Sequence, residues 1–308
     1  MKKVLFIDTV HPMLWEELEK EGFNCIEGYD LSKEEVKTIS SDIYGIVIRS
    51  RFKIDVPFLD ACQELRFIAR AGSGMENIDE EFATSKGIAC LNAPEGTRQA
   101  VAEHALGMLL SLFNTLNTAD IEVRQGLWKR EENRGIELNG KTMGIIGFGH
   151  NGSAFADVLS GFGVKLLAYD KYKSNYSEKA IESDMQTIFE EVDILSLHIP
   201  LTDETHHLIN DEFIQRFKKP FYLINTSRGQ CIKTTDLLDA MQNGKVLGAC
   251  LDVLEYEKTS FEKLENSVDF QRLIKSKKVI LSPHVAGWTK ESKLKLAQVL
   301  LEKIKSII

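Results

Sequence analysis

The chain has 308 residues, 43% of them hydrophobic and 27% charged, the proportions of an ordinary globular protein, with room for two domains of about 100–200 residues. Its net charge of -8 argues against nucleic acid as a general partner, because a phosphate backbone is met by a basic face. The five cysteines, Cys25, Cys62, Cys90, Cys231 and Cys250, form no C-x-x-C pair, so neither a zinc site nor a disulfide framework is expected, and buried thiols in a reducing compartment are.

At the N-terminus the apolar run Val4–Ile7 is too short for a signal peptide, and Asp8 interrupts it. No apolar stretch approaches the roughly 20 residues of a membrane span, so a cytoplasmic protein with no membrane partner is expected. Val4–Asp8 reads as a strand, Met13–Glu21 as a helix, and Gly45–Ile48 and Arg66–Ala69 as further strands. Gln99–Leu116 is apolar with helical spacing and reads as one long helix joining two lobes. A polar stretch, Gln125–Asn139, precedes a new strand at Thr142–Ile146. Strands are then expected over Val164–Tyr169, Ile194–Leu197, Phe221–Asn225, Val246–Leu251 and Val279–Leu281. Thr235–Gln242 reads as a helix stopped by Asn243-Gly244. Glu255–Lys278 is charged without a strong period and reads as a loop or short helix, and Thr289–Ile308 as an amphipathic helix. Continuous apolar strands alternating with helices predict parallel sheets covered by helices.

Gly147-Phe148-Gly149-His150-Asn151-Gly152 directly follows the Thr142–Ile146 strand and opens a helical pattern. That is G-x-G-x-x-G in the context that binds a dinucleotide: a tight turn, close backbone approach to a pyrophosphate, and a helix N-terminus facing it. Asp170 stands 18 residues past Gly152 at the end of the next strand, where an acid meets the ribose hydroxyls and repels a 2′-phosphate, favouring NAD over NADP. Three more strand ends carry polar clusters: Asn225–Gly229 with Arg228, Asp252–Glu257, and Ser282–Trp288 with His284. Strand ends are where open α/β sheets place ligands, but by spacing alone helix caps and surface ion pairs account for these residues equally well.

With these motifs in order, the chain resembles the D-isomer-specific 2-hydroxyacid dehydrogenases over nearly its whole length. The marks are Arg70-Ala71-Gly72-Ser73-Gly74 with Asn77-Ile78-Asp79, Val101-Ala102-Glu103-His104, the glycine loop, His198-Ile199-Pro200-Leu201-Thr202, Asn225–Gly229, Gly248–Val253 and Ser282–Gly287. The resemblance implies two Rossmann-like or flavodoxin-like doubly wound lobes, the NAD-binding lobe (99–286) inserted into a substrate lobe (1–98 with 287–308), and a homodimer through the NAD-binding lobe. It implies Arg228, Glu257 and His284 as the catalytic set, His284 exchanging a proton with the 2-oxo oxygen, Glu257 orienting it, and Arg228 gripping the substrate carboxylate. Glu255 is a rival for the place of Glu257. On the cofactor side it implies Gly147, Gly149, His150, Asn151, Gly152, Asp170, His198, Pro200, Thr205, Thr226, Asp252 and Gly287. On the substrate side it implies Ser73 and Gly74 at the carboxylate. Within the family the chain is most similar to members that oxidise D-3-phosphoglycerate to 3-phosphohydroxypyruvate, the first step of serine synthesis. By that likeness Arg49 and Arg70 face the phosphate, with Arg51 and Lys53 adding charge, and Arg130 reaches the site of a partner subunit; pairing of these cations with local acids is the alternative. Glyoxylate, hydroxypyruvate or another short 2-oxo acid is the competing substrate; formate or phosphite would leave the arginines redundant. An NAD-reading corepressor is the rival of a different class.

Four departures from the family pattern stand out: His150 for Arg, Asn151 for Ile, Glu76 for Asp and Lys258 for Pro. His104, in an apolar helix, reads as a core or interlobe residue and His11 as exposed. His206 and His207 lack a metal-ligand partner at a useful spacing, and no metal site is expected. The sequence runs only 24 residues past His284, so no serine-sensing C-terminal module is expected.

Overall fold

The computed structural model describes residues 1–175, 178–257 and 267–308. They form two compact units, described separately: residues 1–97 with 288–308, and 98–257 with 267–287.

In unit 1 the strands are β1 (Lys3–Phe6), β2 (Asn24–Glu27), β3 (Ile43–Ile48), β4 (Phe67–Arg70) and β5 (Ala89–Leu91), and the helices between them α1 (Pro12–Lys20), α2 (Lys33–Ile39), α3 (Val56–Ala61) and α4 (Glu80–Ser85). The sheet is wholly parallel in the order β2-β1-β3-β4-β5. This is the flavodoxin-like order, whose direction reverses between β1 and β3. Alternation along β1 sends Val4 and Phe6 to one face and Leu5 and Ile7 to the other, each into its own apolar cluster. Short helices start where a side chain takes an orphan N–H: Ser32 with Glu35 in a capping box, Asp55 and Asp79 at single caps.

The chain leaves unit 1 within α5 (Pro94–Phe113). The long helix therefore starts five residues earlier than the periodicity suggested, with Pro94 at a first-turn position that needs no N–H. It also stops short of Leu116, because Thr115 is left-handed (φ 49°) and a separate helix, α6 (Leu116–Arg124), begins there.

Unit 2 continues with β6 (Thr142–Ile146), α7 (His150–Val158), β7 (Lys165–Tyr169), β8 (Ile181–Glu182), α8 (Met185–Glu191), β9 (Ile194–Leu197), α9 (Asp211–Gln215), β10 (Phe221–Asn225), α10 (Thr234–Gln242), β11 (Val246–Leu251), α11 (Val268–Lys275) and β12 (Val279–Leu281). Its sheet is parallel throughout, in the order β12-β11-β10-β9-β6-β7-β8, with the direction of winding reversing between β6 and β9. The charged segment read as a loop or short helix contains α11; Lys258 lies outside the described residues. The last helix, α12 (Lys290–Lys305), is capped by Thr289 and belongs to unit 1, where Ala297, Leu300 and Ile304 join Val4 and Phe6 in the core. No helix among the described residues is long and apolar enough to cross a membrane.

Candidate active site

The glycine loop of unit 2 leaves β6 at the reversal of strand order. Gly147 turns at φ 89°, and a Cβ there would stand 2.4 Å from the His198 carbonyl oxygen. A Cβ on Gly152 would stand 2.0 Å from the Gly147 carbonyl oxygen, whereas Gly149, the residue before α7, faces open space. The loop is thus packed tightly against β9 and its own helix, but open at the helix N-terminus, where unpaired N–H groups and the dipole attract an anion. Asp170, past the end of β7, accepts from the Phe148 N–H (2.7 Å) and from the N–H groups of Tyr172 (2.9 Å) and Lys173 (3.1 Å). It therefore fastens the loop as well as standing beside it, a second role that sequence position did not reveal.

Among the described residues, three buried polar atoms here have no hydrogen-bond partner: Asn151 Oδ1, His198 Nδ1 and Thr226 Oγ1. They come from the start of α7 and the ends of β9 and β10. An unpaired buried polar atom costs about 1–3 kcal/mol, so three near one sheet edge fit a polar ligand there. The cradle, the helix start and the unsatisfied atoms suit a dinucleotide. His198 is half-buried with its Nδ1 shut off from solvent, and the loss of solvation pushes its pKa down to about 3, so it is neutral; its Nε2 lies 2.9 Å from the Ser196 hydroxyl. His150 is exposed at the start of α7. Thr205 turns its hydroxyl onto its own loop, donating to the Pro200 carbonyl at 2.7 Å.

The remaining strand ends carry the candidate chemistry. His284 Nδ1 lies 2.6 Å from Glu257 Oε2, and Glu257 Oε1 accepts from the Leu254 N–H at 2.5 Å. Glu255 is engaged elsewhere: its carboxylate meets His207 Nε2 and the Thr234 N–H, each at 2.8 Å. His284 itself is left-handed (φ 55°), and its N–H is tied to the Asp252 carbonyl at 2.7 Å. The buried Asp252 carboxylate accepts from the Ser282 hydroxyl (2.6 Å) and the N–H groups of Val285 and Ala286 (both 2.9 Å), ordering the turn on which His284 sits and which ends at Gly287. His104 is half-buried rather than a core residue, its Nε2 2.8 Å from the Ser282 hydroxyl. Arg228 follows β10 and donates from Nη1 to the Ser227 carbonyl at 2.7 Å. A Cβ on the adjacent Gly229 would stand 2.0 Å from the Leu254 carbonyl, so the Arg228 loop and the Glu257 loop are in backbone contact.

The substrate-side candidates lie mostly in unit 1. Arg49 follows β3, Arg70 ends β4, and Arg70 Nε donates to the Arg49 carbonyl at 3.0 Å. Asp8, past the end of β1, gathers the N–H groups of Arg49, Ser50 and Arg51 at 2.6, 3.2 and 3.4 Å. Its place at a strand end was visible in the sequence, but a carboxylate serving three backbone donors leaves no pattern. The Ser73 hydroxyl is 2.9 Å from that of Thr97, its carbonyl accepts from Asn92 at 2.6 Å, and Gly74 follows in the same turn. Arg51 is not a further loose cation: its Nη1 donates to the carbonyls of Ile7 (2.9 Å) and Gly28 (3.2 Å). Arg130 is exposed in unit 2. His11 is half-buried rather than exposed, and its ring caps α1 by accepting from the Met13 N–H. No group of three potential metal ligands occurs among the described residues.

Comparison with known proteins bears on this geometry. Residues 106–286 match the family model of the D-isomer specific 2-hydroxyacid dehydrogenase, NAD binding domain. The chain is 36% identical over 274 residues to a hydroxypyruvate reductase of Thermotoga maritima, covering 89% of this chain and 88% of that protein. It is 36% identical over 281 residues to a D-3-phosphoglycerate dehydrogenase of Synechocystis, covering 90% of this chain and 49% of that longer protein. Among solved structures, a D-lactate dehydrogenase from Aquifex aeolicus complexed with NAD and lactic acid is similar with a TM-score of 0.83 and 27% identity, covering 99% of this chain and 95% of that one. The parallel sheets, the dinucleotide cradle and these relatives agree: the chain belongs to the D-isomer specific 2-hydroxyacid dehydrogenases, NAD-dependent oxidoreductases of 2-hydroxy acids.

Proposed function

We propose that the protein interconverts D-3-phosphoglycerate and 3-phosphohydroxypyruvate, with His284, Glu257 and Arg228 as the catalytic set. Bound NAD would supply the hydride acceptor, held by the glycine loop, His150, Asn151, Asp170, His198, Pro200, Thr205, Thr226 and Gly287, with Asp252 toward the carboxamide. In oxidation His284 Nε2 takes the hydroxyl proton as the C2 hydride leaves; in reduction it returns that proton to the oxo oxygen. Nδ1 donates to Glu257, which fixes the ring's orientation and stabilises its cation. Arg228 would grip the substrate carboxylate through its forked donors, assisted by the turn at Ser73 and Gly74.

The observation that carries the phosphorylated substrate is Arg49. Its guanidinium has no carboxylate partner among the described residues, and it stands at the β1/β3 reversal, the ligand position of an open sheet. Arg70 adjoins it. Hydroxypyruvate is the second reading, favoured by the reductase relative of matching length. Initial rates with NADH separate them: 3-phosphohydroxypyruvate is expected to give the higher kcat/KM, and a preference for hydroxypyruvate or glyoxylate overturns the phosphate reading. Binding of NADH without turnover of any 2-oxo acid would instead favour a cofactor-reading role. We further infer a homodimer through unit 2, where Leu116, Ile121, Val123, Leu127 and Trp128 are all exposed on and after α6, close in sequence to Arg130. Supply of a serine precursor in the cytoplasm is the setting this activity suits.

A further inference from the structure

The backbone of Arg49 is held from both sides. Its N–H donates to Asp8 Oδ2 at 2.6 Å, and its carbonyl accepts from Arg70 Nε at 3.0 Å and Asn77 Nδ2 at 3.3 Å. Its side chain is held by something else. The guanidinium carbon lies 4.2 Å from the ring centroid of Trp288, and no carboxylate, carbonyl or hydroxyl among the described residues takes its N–H groups.

Trp288 is 60% exposed and belongs to neither apolar cluster of its unit. An indole so exposed adds little to core packing, and among the described residues its ring partner is this arginine. A planar guanidinium donates through its edge, since its N–H bonds lie in its plane. Stacking one face on an indole therefore leaves the donor fork intact while restricting the side chain's rotamers. A fixed cation with unused donors at a sheet reversal suits an oxyanion, and a dianion more than a monoanion.

We propose that Trp288 is a positioning residue for specificity: its indole holds Arg49 as a fork for the phosphate of a phosphorylated 2-oxo acid. This role rests on the substrate reading above. Cation–π pairs at exposed sites correspond to about two- to fivefold in affinity.

The test is steady-state kinetics of wild type, Trp288→Leu, Trp288→Phe and Arg49→Gln with 3-phosphohydroxypyruvate and with hydroxypyruvate, and of Trp288→Leu in the Arg49→Gln background. Trp288→Leu is expected to raise KM for the phosphorylated acid about fourfold relative to hydroxypyruvate, the loss falling on KM rather than kcat. Trp288→Phe should stay within about twofold of wild type, because an aromatic face remains. In the Arg49→Gln background, Trp288→Leu should add nothing, since the pair acts as a unit. Equal changes for both acids, or effects that multiply in the double variant, overturn the proposal. If wild type prefers hydroxypyruvate, the substrate reading fails by itself. Calorimetric binding of inorganic phosphate to the purified protein then decides the pair: weaker binding by Trp288→Leu, rescued by Trp288→Phe, upholds the fork, and unchanged binding overturns it.

Discussion

His284 combines an unusual backbone with a short side-chain contact. A left-handed non-glycine residue persists only where its surroundings fix it, and here both the carbonyl and the carboxylate of Asp252 do so. His284→Ala is expected to lower kcat about 10²–10⁴-fold, the usual range for a positioned acid–base group. Glu257→Gln should lower it by about 10²-fold or more, while Glu255→Gln, on the His207 side, should have a much smaller effect; steady-state assays of the three check the assignment. At Asp170, substitution by Ser should raise the use of NADPH relative to NADH, because the carboxylate that repels a 2′-phosphate is gone. It should also weaken NADH binding, because the Phe148 N–H loses its acceptor. Legibility was uneven at this scale. Spacing within the family favoured Glu257 over Glu255, and the structure pairs it with His284. The ties of Asp8 to three N–H groups and of Ser282 to His104 and Asp252 join residues far apart in sequence, so no local pattern announced them.

Elements were easiest to read where both faces of a strand are buried. β6, β9, β10 and β11 are continuous apolar runs for that reason, and their expected limits match the observed strands. The short helices α2, α3 and α4 escaped notice because one or two turns carry too little period, and their caps are clearer than their faces. The break between α5 and α6 was hidden by apolar spacing that continues through Thr115; only its left-handed backbone separates them. Helix starts are testable directly. Thr289→Ala removes the acceptor for the Ser292 N–H at the head of α12 and is expected to destabilise the protein by about 1 kcal/mol, read as a lower urea midpoint at unchanged m. Gly152→Ala should leave the strands intact but displace the Gly147 carbonyl, weakening NADH by at least tenfold in a fluorescence titration, an effect of about 1.4 kcal/mol or more.

For the whole molecule, His198 is one source of acid sensitivity. Its folded pKa of about 3 lies below the ordinary 6.5, so above pH 6.5 the ring is neutral in both states and adds no pH dependence. As pH falls from 6.5 towards 3, the unfolded chain binds a proton that the folded one refuses, and stability drops by about 1.4 kcal/mol per unit from this group. Urea midpoints across that interval should fall less steeply in His198→Gln. The apolar surface of α6 supports a second measurement: Ile121→Glu with Val123→Glu should shift the light-scattering mass of the proposed dimer to that of a monomer, and an unchanged mass would count against that interface. The order of synthesis gives the discontinuous unit a further property. Unit 1 encloses the other in sequence, and its final helix, α12, packs on α1, β4 and β5. On the ribosome, residues 98–287 are therefore complete while Val4, Phe6 and Leu14 still lack Ala297, Leu300 and Ile304. The first strands made are among the last to be covered, and until then they offer an apolar face for a chaperone, or for another unfinished chain.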